Sequence, residues 1–323
     1  MTNLAQIISD AEQGDADAQY NLGEMYYHGQ GVQQDYEIAI KWYTLAAEQE
    51  HASAQYNLGC INVNGEGVPQ DYEIAIKWYT LAAKQGDADA QYNLGEMYYH
   101  GQGVPQDYEE ADRFYTLAAE QGNTEAQNNL GWMSYAGEGY LQNDKTAAHW
   151  YTRAAEKGYA PAQYNLGVMY HHGIGVPQDD KTAVGWYTLA AEQEHAPAQY
   201  NLGWMYYNGQ GVSQDYEIAI TWYTLAAEQE YAPAQHNLGL MYYNGQGVPQ
   251  DYEIAIKWYT LAAEQEHASA QYNLGEMYEN GHGVQQDYEE AVRFYTLAAE
   301  QGNTEAQNNL HLLKAEKRGL ITP

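Results

Sequence analysis

The feature that most constrains the fold of this chain is an internal repeat with a period of 36 residues. An alanine that begins an AQYNLG-like segment recurs at this interval without an insertion: Ala18, Ala54, Ala90, Ala126, Ala162, Ala198, Ala234, Ala270 and Ala306. Some stretches are copied unchanged, since residues 35–59 recur as residues 251–275. A period of this length is typical of solenoids, in which each repeat is one supersecondary unit.

Each repeat predicts two helices separated by a short glycine-rich loop. In the first helix, which we call helix A, apolar residues have the spacing of an amphipathic helix and lie at positions 18, 22, 25 and 26. Gly29 and Gly31 then favour a left-handed turn that ends helix A. Asp35 is a predicted N-cap, so the second helix, helix B, should begin near Tyr36.

Helix B carries alanines around an aromatic pair, a pattern that lets neighbouring helices approach closely: Ile38, Ala39, Trp42, Tyr43, Ala46 and Ala47. Two copies predict a complete capping box, formed by Asp107 with Glu110 and Asp287 with Glu290. Glycine or glutamate ends helix B: Gly86, Gly122, Gly158, Gly302, Glu50, Glu194, Glu230 and Glu266. A hairpin of this kind cannot bury its own apolar stripe, so the repeats must stack on one another.

The strings AQYNLGEMYYHGQGV and QDYEIAIKWYTLAAEQ resemble the Sel1-like repeat, a relative of the tetratricopeptide repeat with a short two-glycine loop. The resemblance covers the whole chain as one solenoid domain: a half-repeat cap at 1–17, eight repeats over 18–305 and a second cap at 306–323. It implies an all-α, right-handed αα-superhelix with helix A on the inner surface, and adaptor or signalling interactions. In the last half-repeat, His311 replaces the packing glycine and Lys314, Lys317 and Arg318 make the outer side polar.

Charge indicates what this solenoid binds. The chain has 44 acidic and 13 basic residues, a formal net charge of -31, so we expect no nucleic-acid binding and a basic protein or peptide as partner. Cys60 is the single cysteine, which excludes an intramolecular disulfide. Residues 1–14 lack the features of a secretory signal and no apolar run reaches the roughly 20 residues that span a bilayer. We therefore expect a cytoplasmic protein that does not bind membranes.

Function should be encoded where the repeats differ, and one position on helix A varies most. We call it the position-24 column: Glu24, Cys60, Glu96, Trp132, Val168, Trp204, Leu240 and Glu276. On a helical wheel, positions 20, 24 and 27 lie opposite the buried arc and should face a groove. Four successive repeats then place Trp132, Val168, Trp204 and Leu240 in an apolar strip with acidic residues at both ends. This pattern indicates a peptide-binding surface, unless the column is buried and its tryptophans only pack.

Two further columns flank this strip. Tyrosines occupy position 20 as Tyr20, Tyr56, Tyr92, Tyr164, Tyr200 and Tyr272, and position 27 as Tyr27, Tyr99, Tyr135, Tyr207 and Tyr243. Asparagines form an unbroken column: Asn21, Asn57, Asn93, Asn129, Asn165, Asn201, Asn237 and Asn273. The tyrosines either line the groove or pack between A helices. The amides either bind an extended peptide backbone or form a hydrogen-bond ladder between repeats.

No pattern in the sequence predicts catalysis, a metal or a cofactor. Glu24 with His28 has a spacing that could hold a cation, but two ligands do not make a site and no HExxH or CxxC motif accompanies them. Cys60 should be exposed in the groove, yet no histidine column could activate it. Each GxG follows a helix rather than a strand, so turn geometry explains it without a nucleotide. His171 and His172 should lie on the surface.

These observations favour a non-enzymatic adaptor or regulator that binds a protein segment with an apolar centre and acidic flanks. A narrower hypothesis is an inhibitor or immunity-type protein that sequesters a basic toxin or enzyme. A hydrolase with a site in the groove is the alternative of another class, and the Cys60→Ala variant would expose it.

Overall fold

A computed structural model describes residues 4–317, and their side chains as far as Leu313. In that range the chain forms 18 helices and no strand. They are α1 (Leu4–Glu12), α2 (Ala16–His28), α3 (Tyr36–Glu48), α4 (Ala52–Asn64), α5 (Tyr72–Lys84), α6 (Ala88–His100), α7 (Tyr108–Glu120), α8 (Thr124–Ala136), α9 (Asp144–Glu156), α10 (Ala160–His172), α11 (Asp180–Ala191), α12 (Ala196–Asn208), α13 (Tyr216–Glu228), α14 (Ala232–Asn244), α15 (Tyr252–Glu264), α16 (Ala268–Asn280), α17 (Tyr288–Glu300) and α18 (Thr304–Lys317).

Even-numbered helices are the A helices and odd-numbered helices are the B helices, so the predicted all-α repeat of helix-turn-helix units is confirmed. The chain divides into two compact units, with α1 to α9 in the first, α10 to α18 in the second, and the boundary between Lys157 and Gly158. No helix in the described part of the chain is both long and apolar enough to cross a membrane.

The predicted helix boundaries are set by local caps. Helix B begins at Tyr36 as expected, and the Asp35 carboxylate accepts a hydrogen bond of 3.0 Å from the Ile38 N–H. Gly29 ends α2 in the left-handed region with φ 69°. At the end of helix B the predicted glutamates adopt the same region, as in Glu50 with φ 62°. A side chain there costs about 1–2 kcal/mol relative to glycine.

Only one of the two hydrogen bonds of each predicted capping box forms, so this prediction is wrong for the bond from the glutamate back to the cap. Asp107 accepts a hydrogen bond from the Glu110 N–H, but the Glu110 carboxylate pairs with Arg113 at 2.6 Å instead of returning to the cap. The reason is that the Asp107 N–H already donates to the Tyr98 carbonyl, at 2.9 Å. The second box differs in the same way, with Asp287, Glu290, Arg293 and Tyr278 in these roles.

The second glycine of six loops has a role beyond turn geometry, contrary to the sequence interpretation. Gly67 has φ 71°, and a Cβ atom on it would lie 2.5 Å from the Tyr36 Cβ of the preceding repeat. A Cβ on Gly103 would meet the Tyr72 Cβ at the same distance. The loop therefore packs directly on the preceding helix B.

Each hairpin is closed by a contact between a glycine and a tyrosine. Gly23 of helix A lies against the buried ring of Tyr43 in helix B, and a Cβ on the glycine would lie 2.6 Å from a ring carbon. The equivalent distances in the other seven hairpins are 2.4 to 2.9 Å. Alanines complete the core, for example Ala39 and Ala46, which are fully buried. The glycine and the alanines let the two helices approach closely, and the tyrosine ring fills the space that remains between them.

Buried glutamines join the repeats. The Gln19 amide donates to the Ala11 carbonyl, and its Oε1 accepts from Gln49 Nε2 at 2.8 Å. The same pair of bonds recurs at Gln55 with Gln85 and at Gln91 with Gln121. These glutamines are almost fully buried, so the bonds satisfy groups that would otherwise be costly to desolvate.

Lys157 interrupts this ladder at the end of the first unit. It stands where the other repeats have glutamine, and its Nζ donates to the Gly122 carbonyl at 2.9 Å. Among the described side chains, the Oε1 of Gln127 is alone in being buried without a hydrogen-bond partner. An unsatisfied buried acceptor of this kind costs about 1–3 kcal/mol.

One helix lies on each side of the eight repeats, α1 before them and α18 after them. Helix α1 packs Leu4, Ile7 and Ile8 against the core residues Ala11 and Leu22. Helix α18 buries Ala306 and Leu313, and His311 is exposed at the position of the packing glycine. The side chains of Lys314 and Lys317, and the whole of Arg318, lie outside the described residues.

Two alanine substitutions test the glycine contact. In Gly167→Ala the new Cβ would lie 2.7 Å from the Tyr187 ring, so we expect a loss of about 1–3 kcal/mol in unfolding free energy. Gly185 in α11 is the matched control: a Cβ there meets nothing within 4 Å, and Gly185→Ala should stabilise by about 0.5–1 kcal/mol. Urea unfolding followed by circular dichroism measures both. Equal effects of the two substitutions would contradict the contact.

Restoring the glutamine ladder should stabilise the first unit. In Lys157→Gln the amide can donate to Gln127 Oε1, as Gln121 does to Gln91, so we expect a gain of about 1 kcal/mol in the free energy of unfolding. Lys157→Met removes the amine without supplying a donor and should give no gain. A Lys157→Gln variant no more stable than Lys157→Met would show that the orphan acceptor is not destabilising.

Candidate functional site

The position-24 column lies on the A helices, but its exposure varies. Trp132 is 47% exposed, whereas the other seven members are half-buried. The expectation that positions 20, 24 and 27 all face open solvent is therefore wrong outside Trp132. The reason is that side chains from helix B and from the next repeat, which are distant in sequence, cover these positions.

The acidic members Glu24 and Glu96 are held in hydrogen bonds. Glu24 Oε1 accepts from the Tyr43 hydroxyl of helix B and from Asn57 Nδ2 of the next A helix, both at 2.6 Å. Glu96 binds Tyr115 and Asn129 at the same two distances. The outer oxygens face the histidines predicted to be neighbours: Glu24 lies 3.6 Å from His28 and Glu96 lies 3.6 Å from His100. The sequence analysis did not predict this arrangement, because the tyrosine and the asparagine lie 19 and 33 positions after the glutamate.

Cys60 and Glu276 have other surroundings. The Cys60 sulfur accepts a hydrogen bond from the Tyr79 hydroxyl at 3.4 Å and packs against buried residues, so its predicted exposure is wrong. Glu276 accepts from the Tyr272 hydroxyl at 2.8 Å, and burial raises the pKa of its carboxyl group. Neither residue resembles a free group at an open surface.

The tryptophans differ in their environment and lie in different units. In the first unit, Trp132 has its ring 6.0 Å from that of Tyr135 and is otherwise largely exposed. In the second unit, Trp204 packs against the cores of two successive repeats and meets His171 edge to face at 5.5 Å. Trp132 therefore presents more apolar surface, while Trp204 is partly structural.

Two cavities flank Trp204. The larger, of about 230 Å³, is lined by His171, His172, Tyr187, Tyr200, Asn201, Trp204 and Met205. The smaller, of about 150 Å³, is lined by Trp204, Tyr207, Asn208, Tyr223, Asn237 and Leu240. The structure thus brings together five residues predicted from the sequence to bind a partner, namely Tyr200, Asn201, Trp204, Tyr207 and Leu240. Val168 is half-buried beside them in the same core cluster as Trp204.

Position-27 tyrosines form bonds between repeats. Four of the five hydroxyls donate to, or pair with, the residue between the two loop glycines of the next repeat: Tyr27 with Glu66, Tyr99 with Glu138, Tyr207 with Gln246 and Tyr243 with His282. The fifth, Tyr135, has Ile174 at the equivalent place. The distances for Tyr207 and Tyr243 are 2.9 Å and 3.0 Å. Their rings remain half-buried, so these tyrosines pack between repeats while one edge stays accessible.

Position-20 tyrosines such as Tyr164 and Tyr200 pack at a tilt against aromatic rings of helix B and of the residue that precedes the next A helix. Tyr164 lies 6.0 Å from Tyr187 and 5.0 Å from His195, measured between ring centroids. Tyr200 lies 5.7 Å from Tyr223 and 5.5 Å from Tyr231. These tyrosines therefore pack between helices, and ligand binding by this column stays a prediction.

The asparagine column also forms hydrogen bonds between repeats. Asn57 and Asn129 bind the glutamates described above, and two further members bond as follows. Asn237 Nδ2 donates to the Tyr223 hydroxyl at 3.2 Å, and Asn273 Nδ2 lies 3.2 Å from His236 Nε2. Asn165 and Asn201 are half-buried. The hydrogen-bond ladder is thus formed, and peptide binding by these amides stays a prediction.

The histidines do not assemble a metal centre in the described residues, where no three metal-ligating side chains come together. His172 is exposed as predicted, but His171 is half-buried because its Nδ1 pairs with Asp180 at 2.7 Å. His171, which this contact holds in place, lines the larger cavity. The pair could not be predicted from the pattern of one helix, since Asp180 belongs to the next helix.

The sequence model of the Sel1 repeat family matches eight consecutive segments: residues 16–51, 52–87, 88–123, 124–159, 160–195, 196–231, 232–267 and 268–303. Each begins two residues before the frame chosen from the alanines, at the first residue of an A helix. None of the curated proteins compared with the chain matches it significantly.

Two crystal structures are closely similar. One is a protective antigen with the SLR fold, present in uropathogenic Escherichia coli strains, with TM-score 0.91 and 40% sequence identity over 96% of this chain and 67% of that one. The other is a Sel1 repeat protein from Oxalobacter formigenes, with TM-score 0.75 and 36% identity over 96% of this chain and 89% of that one.

His236 makes the second unit sensitive to acid. It replaces a position-20 tyrosine, lies 5.8 Å from the Tyr259 ring and stacks at 4.9 Å on His267; burial, followed by repulsion from His267, lowers its pKa to about 4. The folded state therefore binds fewer protons than the unfolded chain, whose histidines titrate near 6.5. Stability should be complete above pH 6.5 and fall between about pH 6.5 and pH 4.

The variant His236→Tyr should lose less stability over this range, measured as the melting temperature at pH 7 and at pH 4.5. A variant with the same pH dependence as the wild type would show that His236 does not contribute.

Proposed function

The chain belongs to the Sel1 repeat family, and we propose that it is a cytoplasmic, non-enzymatic scaffold that binds an extended, basic segment of another protein on its A helices. Sel1 repeats usually serve as protein-interaction modules. The proposal concerns two surfaces. The Trp132 surface comprises Glu96, Trp132 and Tyr135 of the first unit. The Trp204 surface comprises Val168, Tyr200, Asn201, Trp204, Tyr207 and Leu240 of the second unit.

The exposure of Trp132 is the single observation that carries this proposal. Two A helices of the same unit have at this position a glutamate held by two hydrogen bonds, so the repeat does not require an apolar residue here. A tryptophan that leaves 47% of its surface in water forgoes part of the free energy its burial would give. Tryptophan is also the residue most enriched among interface residues that dominate binding energy.

Charge supports a basic partner. The net charge of -31 attracts cations over the whole surface and should speed their encounter with the protein. Glu24, Glu96 and Glu276 supply carboxylates on the A helices themselves, and the Glu24 and Glu96 side chains keep about one third of their surface exposed. A segment with lysine or arginine beside an apolar residue would match both features.

Removing the exposed indole should weaken binding without unfolding the protein. Peptides selected from a random phage-displayed library against the wild type serve as probes. For Trp132→Ala we expect binding about 30-fold weaker, corresponding to about 2 kcal/mol, with an unchanged melting temperature. Trp132→Ala with Trp204→Ala should abolish binding but also lower stability, since Trp204 packs in two cores. Isothermal titration calorimetry and circular dichroism measure the two effects.

Trp222→Ala in α13 is the matched control, because this tryptophan lies on a B helix. It should leave peptide affinity unchanged. The proposal fails if the library yields no peptide, or if the Trp132 and Trp204 variants bind as the wild type does.

A further inference from the structure

Each of the two cavities beside Trp204 contains the same pair of polar side chains. The larger is lined by Tyr187 of α11 and Asn201 of α12, and the smaller by Tyr223 of α13 and Asn237 of α14. In both, the tyrosine comes from helix B and the asparagine from the following A helix. The remaining walls are mainly aromatic or apolar.

In two repeats of the first unit the equivalent pair binds a carboxylate of the chain itself. Glu24 Oε1 accepts from Tyr43 and Asn57, and Glu96 Oε1 accepts from Tyr115 and Asn129, with all four distances 2.6 Å. The tyrosine follows the glutamate by 19 residues and the asparagine follows it by 33 residues. A tyrosine and an asparagine placed in this way can therefore share one acceptor oxygen. Glu276 is not bound like this, because Tyr295 donates to Glu279 and Asn309 donates to Tyr295.

In the second unit, Val168 and Trp204 are the residues that lie 19 positions before each cavity tyrosine and 33 positions before each cavity asparagine. Their side chains have no acceptor oxygen. Asn237 Nδ2 instead donates to the Tyr223 hydroxyl, at the longer distance of 3.2 Å. Tyr187 and Tyr223 thus line cavities at the positions where Glu24 and Glu96 hold an oxygen in the first unit.

We propose that these cavities bind acceptor oxygens from outside, namely main-chain carbonyl oxygens of the partner segment, in place of the missing glutamates. This inference rests on the proposed function and specifies what the Trp204 surface recognises. A neutral carbonyl is favoured over a carboxylate because the net charge of -31 repels anions. Trp204 and Leu240 provide apolar contact for the side chain next to the bound carbonyl.

The test is to supply the missing oxygen within the chain. In Val168→Gln the new amide oxygen can accept from Tyr187 and Asn201 without a change of charge, and should exclude the ligand from the larger cavity. We expect about tenfold weaker binding of the library-selected peptides, with a melting temperature at least equal to that of the wild type. Cys60→Gln is the matched control, because it makes the same change between Tyr79 and Asn93 in the first unit. Its affinity should equal that of the wild type.

The peptides themselves distinguish the source of the oxygen. Versions with amidated ends, and with each Asp and Glu replaced by Asn and Gln, should bind equally well. Loss of binding on these changes would overturn the carbonyl assignment in favour of a carboxylate.

Failure of this inference is separable from failure of the proposed function. If Val168→Gln binds normally while the tryptophan variants do not, the partner binds on the proposed surface, but the cavities do not bind its carbonyl oxygens. If the tryptophan variants also bind normally, both are wrong.

Discussion

The structure depends on one close contact, repeated in every hairpin, between a glycine of helix A and a tyrosine ring of helix B. At Gly23 the ring of Tyr43 occupies the space that any Cβ atom would need, so the two helices can pack only in this arrangement. The same contact positions the far end of the tyrosine, whose hydroxyl reaches Glu24, the residue after Gly23 in helix A. The packing that closes a repeat thereby delivers a hydrogen-bonding group to the position where repeats differ most.

Stacking adds a second constant layer of buried polar groups. The buried glutamines, through their bonds to the preceding helix B, the position-27 tyrosines and the asparagine column all bond across repeat boundaries. Against this frame, the residue in the position-24 column decides whether a tyrosine hydroxyl and an asparagine amide are satisfied inside the chain. Glu24 and Glu96 satisfy them, whereas Val168 and Trp204 leave them lining a cavity. A single variable position can therefore turn a structural repeat into a binding repeat, which is the account proposed for the second unit.

Much of the fold could be predicted from sequence because its determinants are local. The helix B start at Tyr36 and the left-handed end at Gly29 each follow from a few neighbouring residues. Exposure could not be predicted in this way, because Cys60 is covered by Tyr79, which a helical wheel of one helix does not include. The glutamine ladder was missed although a signal existed, since glutamine recurs in every copy and only Lys157 breaks the column of its partners. The variable column was found, but which of its members contact solvent depends on the packing of the next repeat.

The central claim is that partners bind on the A helices, and the eight tryptophans allow a direct test. Trp132 and Trp204 lie on A helices, whereas the other six lie on B helices: Trp42, Trp78, Trp150, Trp186, Trp222 and Trp258. Fluorine NMR of protein labelled with 5-fluorotryptophan, assigned by single Trp→Phe variants, reports each indole as a library-selected peptide is added. The account predicts shifts of the Trp132 or Trp204 resonance with the six B-helix resonances unchanged. Shifts confined to the B-helix tryptophans would contradict it.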